Sequence, residues 1–290
     1  MDLQTLKFFR IIASEGSVSK AAQKLNYAQS NLSMKMSQLE KELQTTLFYR
    51  HNRGVSLTPK GEVLFQYATA LLNLANEAEG ALRDDGAAKG KLTIGSMEST
   101  AISFLPKFLS DYHAENPNVS LTVQTGTTEK CIRGVLEYTL DGAFVAGPVQ
   151  HPELHSKPVR TEQLMLITDR NMPEELTPEL LLGQTLLVFP EGCSYRRVLE
   201  RWLESEALFP QKIIEFNSLG AIIASVSAGL GVSLFPASVV ARYAEGGALR
   251  SHAIPPQYAN VPTVFVYRKT AFPEQALRQV LQLLEKDKEI

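Results

Sequence analysis

The sequence predicts a mixed α and α/β chain: a small helical head with a basic wing, a long connecting helix and a larger α/β body. Three observations predict it. Residues 17–61 hold two short helical patterns around a tight turn, then a basic loop between apolar pairs. Residues 59–83 carry apolar positions at heptad spacing, with no breaker before Gly80. From residue 91 onward, strand-like and helix-like stretches alternate. Charge divides in the same way. The 290-residue chain has a formal net charge of −2, yet residues 1–60 hold nine Lys and Arg against four Asp and Glu. A basic end on an acidic body implies a local polyanion site.

In the head, Ser17 stands where a hydroxyl can accept an orphan amide of a first helical turn. Ala21 and Ala22 are small enough for a second helix to cross close by, and Leu25 closes the apolar side. Asn26-Tyr27-Ala28 forms the turn, because Asn tolerates the left-handed conformation. The next helix places Leu32, Met36, Leu39 and Leu43 in one stripe. Its other face shows short polar groups suited to base edges and phosphate oxygens. The candidate recognition residues are Gln29, Ser30, Ser33, Met34, Lys35 and Ser37. Arg50 and Arg53 flank the wing tip, where cations meet phosphate or the minor groove. Residues 1–58 therefore read as a winged helix-turn-helix that binds double-stranded DNA.

Thr58 can cap the following helix, and Pro59 suits its first position. Leu64, Ala68, Leu71, Ala75, Ala78 and Leu82 form a seam spaced four, three, four, three, four. A single helix standing off a small domain cannot bury such a seam alone, so residues 59–83 are expected to dimerise. Residues 84–90 are short, small and polar, and read as a hinge.

The body begins with expected strands at Lys91–Gly95, Val119–Thr125 and Ala143–Val145. Further strands are expected at Leu164–Thr168, Thr185–Phe189, Ile213–Phe216, Val232–Phe235 and Thr263–Tyr267, with a final helix over Phe272–Ile290. Repeated βαβ units imply parallel sheets with both faces covered. About 200 residues is large for one such sheet, so two subdomains are expected. Phe216 to Ala241 contains no charged residue, a length that suggests a membrane span. Gly220, Gly229, Gly231 and Pro236 interrupt it, and a buried helix followed by a buried parallel strand gives the same hydropathy. Asp2, Lys7, Arg10 and Glu15 leave no apolar signal-peptide core, so a cytoplasmic protein without membrane contact is expected. Two cysteines, Cys131 and Cys193, indicate no disulfide framework. No nucleophile elbow or phosphate loop is present. Pro152 inside His151-Pro152-Glu153-Leu154-His155 opposes a helix presenting both imidazoles. No catalytic residue, metal or cofactor is expected.

Residues 1–61 resemble the N-terminal domain of the LysR-type transcriptional regulators. The resemblance rests on Leu6-Lys7-Phe8-Phe9, Gly16 to Ala22, Gln29 to Ser33, Leu39-Glu40 and Leu57-Thr58-Pro59-Lys60-Gly61. Family members usually carry Pro where this chain has Ser30 and Arg where it has Met34, so the family's base contacts are not transferred to those two positions. Gly192-Cys193-Ser194-Tyr195-Arg196 resembles the YofA/CzcR-like subset. The resemblance implies a two-lobed, periplasmic-binding-protein-like effector domain over residues 91–290. Lobe I would span about 91–161 and 267–290, and lobe II about 162–266. Crossing strands would lie near Val159–Leu164 and Val264–Arg268. It also implies antiparallel pairing of the linker helix, a homodimer or homotetramer, and contact with RNA polymerase.

Ligands of open α/β sheets sit beyond the carboxyl ends of strands, often at helix N-termini. Four such edges are present. They supply Ser96, Ser99 and Thr100; Thr127 and Thr128; Cys193, Ser194 and Arg196; and Asn217. The resemblance places a small-molecule effector there. Arg196 with the helix amides would favour an anionic one, although Arg196 and Glu200 also have the spacing of a surface ion pair. Two rivals remain: an effector-free architectural DNA binder, and a thiol sensor using Cys193 at a helix N-terminus.

Overall fold

The structure, a computed structural model, describes residues 1–51, 54–82, 88–175, 177–209, 212–243, 247–269 and 275–286. It divides into two units, the first Met1–Asp85 and the second holding nearly all that follows. The Arg53 side of the wing tip, the Leu82 side chain and most of the expected hinge lie outside the described residues.

Helix α1 (Leu3–Glu15) opens on Asp2, whose carboxylate accepts the Thr5 amide at 2.8 Å. That bond, with the Thr5 hydroxyl, holds the Asp2 carboxyl below its ordinary pKa. Helix α2 (Val18–Leu25) is capped by Ser17 and ends on Asn26 at φ 52°, the left-handed turn expected from its chemistry. Ala21 and Ala22 are buried beneath α3 (Gln29–Glu42). That helix buries Leu32, Met36 and Leu39, but Leu43 lies past its end and is 36% exposed. The expected stripe is thus one residue shorter, because the chain turns away at Gln44, which takes φ 50°.

Strands β1 (Phe48–His51) and β2 (Gly54–Leu57) pair antiparallel as the wing. Two fastenings hold it. Glu40 Oε1 accepts the amides of Leu47 at 2.7 Å and Phe48 at 3.2 Å. The Val55 amide donates to the Gly16 carbonyl at 2.8 Å. Gly54 sits at φ 138°, and a Cβ there would lie 2.2 Å from Gly16 O. Only glycine lets the wing approach the α1–α2 turn so closely.

Helix α4 (Pro59–Leu82) starts with Thr58 Oγ1 accepting the Gly61 amide at 3.0 Å. Its first turns close the head core: Ala68 is fully buried beside Phe8, Phe9 and Leu72, and Leu64 is half-buried against them. This corrects the expected seam, since Leu64 and Ala68 serve the head. The outward apolar face is Val63, Tyr67, Leu71 and Leu74, spaced four, four, three. Leu71 belongs to both patterns, Ala75 is half-buried and Ala78 exposed.

The second unit begins with β3 (Gly90–Ser96), α5 (Glu98–Ser103), α6 (Leu105–Glu115), β4 (Val119–Thr125), α7 (Thr128–Leu136) and β5 (Gly142–Ala146). Strand β3 pairs parallel with both β4 and β5. The long strand β6 (Leu154–Asp169) then enters a second lobe. There follow α8 (Pro178–Leu182), β7 (Leu186–Val188), α9 (Ser194–Ser205), β8 (Ile213–Glu215), α10 (Leu219–Ser227), β9 (Ser233–Pro236), α11 (Ala237–Tyr243) and β10 (Leu249–Ala253). After α12 (Pro256–Ala259), strand β11 (Asn260–Arg268) returns to lobe I, and α13 (Gln275–Lys286) packs on its core. The lobe I core centres on Phe144 and Phe265, whose rings lie 4.8 Å apart.

The sheet order is β10-β6-β11-β5-β3-β4, with β9 also on β6, while β7 and β8 pair separately. Several expectations need correction. The sheets are mixed, because β11 runs antiparallel to β5 and β6, and β9 and β10 run antiparallel to β6. Strand β6 begins at Leu154 rather than Leu164; Lys157, Pro158, Arg160 and Glu162 hide its first half from a hydropathy reading. Strand β10 has no counterpart among the expected strands. Thr263–Tyr267 already pairs with β5, so the returning crossover precedes Val264, and lobe II ends several residues before 266. The uncharged run from Phe216 to Ala241 is α10, β9 and the start of α11, with β9 antiparallel to β6 rather than parallel. Among the described residues no helix is long and apolar enough to cross a membrane.

Replacing Glu40 by Ala strips both wing amides of a charged acceptor. We expect a loss of about 1.5–3 kcal/mol from the head. Hydrogen exchange at Leu47 and Phe48 should accelerate selectively; unchanged protection there would show that the Glu40 strap does not hold the wing.

Candidate DNA-reading face and effector cleft

The head presents α3 along one side. Gln29, Ser30, Met34, Lys35 and Ser37 are exposed there, while Ser33 is half-buried where the helix turns toward its core. The Ser19 hydroxyl donates to Gln29 Oε1 at 3.0 Å, which ties the recognition side chain to α2. Tyr27 packs on Phe8 with ring centres 4.9 Å apart, which stiffens the turn between the two helices. Arg50 is exposed on β1; Arg53 lies outside the described residues.

In the second unit, strand ends of both lobes face a cleft of about 690 Å³. That volume suits a small organic ligand. Six of the nine expected residues line it: Ser99, Thr127, Thr128, Cys193, Ser194 and Asn217. The N-terminal turns of α5, α7 and α9 bring the first five there, and the end of β8 brings Asn217. Thr127 Oγ1 accepts the Lys130 amide at 3.3 Å and Thr128 Oγ1 accepts the Ala146 amide at 3.3 Å. Thr127 therefore serves partly as a cap of α7, and Thr128 ties that helix to the end of β5. Gly192, at φ 87°, passes so close to Glu129 that a Cβ would lie 2.9 Å from its Oε2. This is a contact across the two lobes.

Three expected residues do not line the cleft. Ser96 is fully buried and donates to Met97 O at 2.9 Å. Thr100 is turned into the protein at 1% exposure. Arg196 donates to Glu200 at 2.7 Å, Glu215 at 2.5 Å and Phe189 O at 3.2 Å. The ion pair with Glu200 raises its pKa further. The α9 stripe of Tyr195, Leu199, Trp202 and Leu203 faces the core, which turns Arg196 toward these acids and away from the ligand space.

The cleft also holds residues outside the expected set. Glu98 is half-buried, and its Oε2 accepts the Leu219 amide at 3.0 Å across the lobes. Burial raises its pKa, and that hydrogen bond only partly offsets the rise. Glu129 and Arg133 line one wall and pair at 2.8 Å. Lys130, Glu191, Phe189, Tyr195 and Phe235 complete much of the surface. Tyr195 is buried, which pushes its phenol pKa upward, and the Ser99 hydroxyl beside it acts the other way. Neither Ser99 Oγ nor Tyr195 Oη makes a hydrogen bond with a described residue. Leaving a buried hydroxyl unpaired costs about 1–3 kcal/mol. The Glu98 and Tyr195 roles are visible in the sequence only through their neighbours Ser99 and Ser194, since a carboxylate or phenol at a helix start has an equally good structural reading.

The arrangement suits recognition. No histidine lines the cleft beside Cys193 among the described residues. The described residues also hold no group of His, Cys, Asp and Glu that could ligate a metal ion.

Residues 3–62 match the model for bacterial regulatory helix-turn-helix proteins of the lysR family, and residues 85–288 match the LysR substrate binding domain. The chain is 46% identical over 281 residues to the HTH-type transcriptional regulator GltR of Bacillus subtilis, covering 97% of this chain and 95% of that protein. It is 43% identical over 287 residues to the HTH-type transcriptional regulator CzcR of Bacillus cereus, covering 98% and 97%. Its fold matches the crystal structure of full-length CbnR in complex with target DNA at a TM-score of 0.70 and 22% identity, covering 99% of this chain and 100% of that one.

Burial pushes the Cys193 thiol above its ordinary value, and the Tyr195 and Arg196 amides and the Arg196 charge only partly counter it. The thiolate is therefore scarcer at neutral pH than in free cysteine. Iodoacetamide should label Cys193 more slowly than glutathione at about pH 7.5, with the rate climbing at higher pH than it does for glutathione. Rapid labelling at neutral pH would restore the thiol-sensing reading.

Proposed function

This chain belongs to the LysR family of bacterial transcriptional regulators, and we propose that it reads a dyad-symmetric operator as a homodimer or homotetramer under control of a small molecule. It has a DNA-binding helix-turn-helix domain and an effector-binding domain. The observation that carries the proposal is the open polar face of α3 on a basic, wing-strapped head, in a chain whose body holds a two-lobed cleft. Residues 1–58 would bind DNA, 59–83 would dimerise, 84–90 would act as hinge and 91–290 would bind the effector. Gln29, Ser30 and Ser37 would reach base edges, Met34 would offer an apolar contact, and Lys35 and Arg50 would meet phosphates. The exposed row Val63, Tyr67, Leu71 and Leu74 supports helix pairing, because a lone helix gains nothing by exposing it. Cytoplasmic location, contact with RNA polymerase and the lack of catalysis follow from this reading of the family.

The reading is tested by titrating the full chain against DNA upstream of its own gene at several salt concentrations. Arg50→Ala should weaken binding to operator and random DNA alike, and reduce the salt slope by about 0.9 for each phosphate no longer neutralised. An unaltered slope would remove the wing from the interface.

Assembly gives a second test. Leu71→Asp should yield monomers in sedimentation, with loss of cooperative half-site occupancy, because it buries a charge in an apolar helix pair. Ala68→Leu should instead destabilise the head by about 1–3 kcal/mol through overpacking, with the dimer retained. Exchange of these two phenotypes would return the interface to the Leu64–Ala68 face.

A further inference from the structure

We infer that the effector is a small zwitterion of the amino-acid class, with its protonated amine on Glu98 and its carboxylate toward Lys130 and the hydroxyls that line the same cleft. The inference rests on reading the cleft as the effector site and names what that site recognises. Glu98 opens α5 from lobe I, half-buried at the cleft wall. One carboxylate oxygen accepts the Leu219 amide at 3.0 Å. No cation among the described residues pairs with it. Arg133 is held by Glu129 at 2.8 Å, Arg160 by Glu162 at 2.7 Å, and Arg196 by Glu200 and Glu215. A carboxylate taken from water without a cation is costly, and a ligand ammonium offsets that cost.

The hydroxyls point to the same ligand. Ser99 and Tyr195 line the cleft at 4% and 5% exposure, near enough for the Ser99 hydroxyl to act on the Tyr195 phenol, yet neither is in hydrogen-bonding geometry with the other or with another described residue. Ser99 directly follows Glu98 and Tyr195 approaches from the other lobe, so polar groups converge beside the carboxylate. A ligand with acidic groups alone would face both Glu98 and Glu191. A ligand with an amine alone would leave Lys130 and the first turn of α7 unused. A molecule carrying both charges engages both Glu98 and Lys130.

The test is thermal unfolding of the full chain with three probe pools at equal concentration: the twenty L-amino acids, short mono- and dicarboxylic acids, and primary alkylamines. The amino-acid pool should raise Tm by about 2–4 °C, traceable to one or a few members, while the other two should not. Glu98→Gln keeps an acceptor for the Leu219 amide but removes the charge. It should weaken the active amino acid about tenfold or more by calorimetry, and Ser99→Ala should weaken it less. A rise with carboxylic acids alone would overturn the inference, show Glu98 to be a plug that an anion displaces, and leave the effector cleft standing. A rise with amines alone, or with no pool, would also overturn it. An amino-acid response unchanged in both variants would place the ligand elsewhere and sink the cleft reading too.

Discussion

The antiparallel ladder between Leu154–Asp169 and Asn260–Arg268 is the constraint on which the effector unit depends. These two strands pair from Asn260 opposite Gln163 to Arg268 opposite Leu154. Lobe I hangs on the second strand through Thr263–Tyr267 and its partner Gly142–Ala146. Lobe II hangs on the far end of the first, where Leu164–Ile167 pairs with Ser233–Pro236. The ladder slips between Thr263 and Val264, beside Pro158, which has no amide to donate. Backbone bonding is thus weakest near the crossover, and a bend there sacrifices the least. Glu162 is buried at the same level, paired with Arg160 at 2.7 Å and accepting the Ser238 hydroxyl at 2.9 Å. That pair fixes the strand by filling its polar valences, since a buried ion pair contributes little net stability.

The head solves a different problem with equally few groups. A four-residue hairpin arm is too short to be stable by itself. It is held because Glu40 captures its first amides and Gly54 lets it lie on the turn after α1. Neither anchor uses the exposed residues Gln29, Ser30, Met34, Lys35 or Ser37 of α3. The outer side chains of α3 are therefore free to be polar and exposed, while the fold is carried by Leu32, Met36, Leu39, Phe9 and Ala68 beneath.

What is legible in the sequence follows the same line between local and long-range causes. Ser17, Asn26, Thr58 and Pro59 act through their own backbone neighbourhood, and each takes the expected cap or turn. Strand Val119–Thr125 is found over the expected residues for the same reason. The errors lie where a partner distant in sequence decides. A heptad reading assigns Leu64 and Ala68 to a second subunit because period alone cannot tell which body an apolar face covers. Strand β6 hides its first half because Arg160 and Glu162 neutralise each other inside the fold. Arg196 reads as a ligand group until Glu215, nineteen residues away, takes it. In the cleft, Ser and Thr at strand ends are readable from topology. Glu98 is not, because its meaning comes from Leu219 in the other lobe.

Control by a ligand needs two arrangements whose free energies differ by little, and a ligand that prefers one. The cleft is built at that scale. Its described direct links between lobes include the Glu98–Leu219 hydrogen bond and the approach of the Glu129 amide to Gly192 O at 3.4 Å. Hydrogen bonds of this kind contribute about 0.5–1.5 kcal/mol net, with more where one partner is charged. Their sum is comparable with the roughly 1–3 kcal/mol over which allosteric couplings typically run. A ligand that engages Glu98 while filling the unpaired valences of Ser99 and Tyr195 acts on groups from both lobes at once. Its affinity then depends on how the two lobes are arranged. Where operator binding also discriminates between those states, linkage makes the two affinities reciprocal.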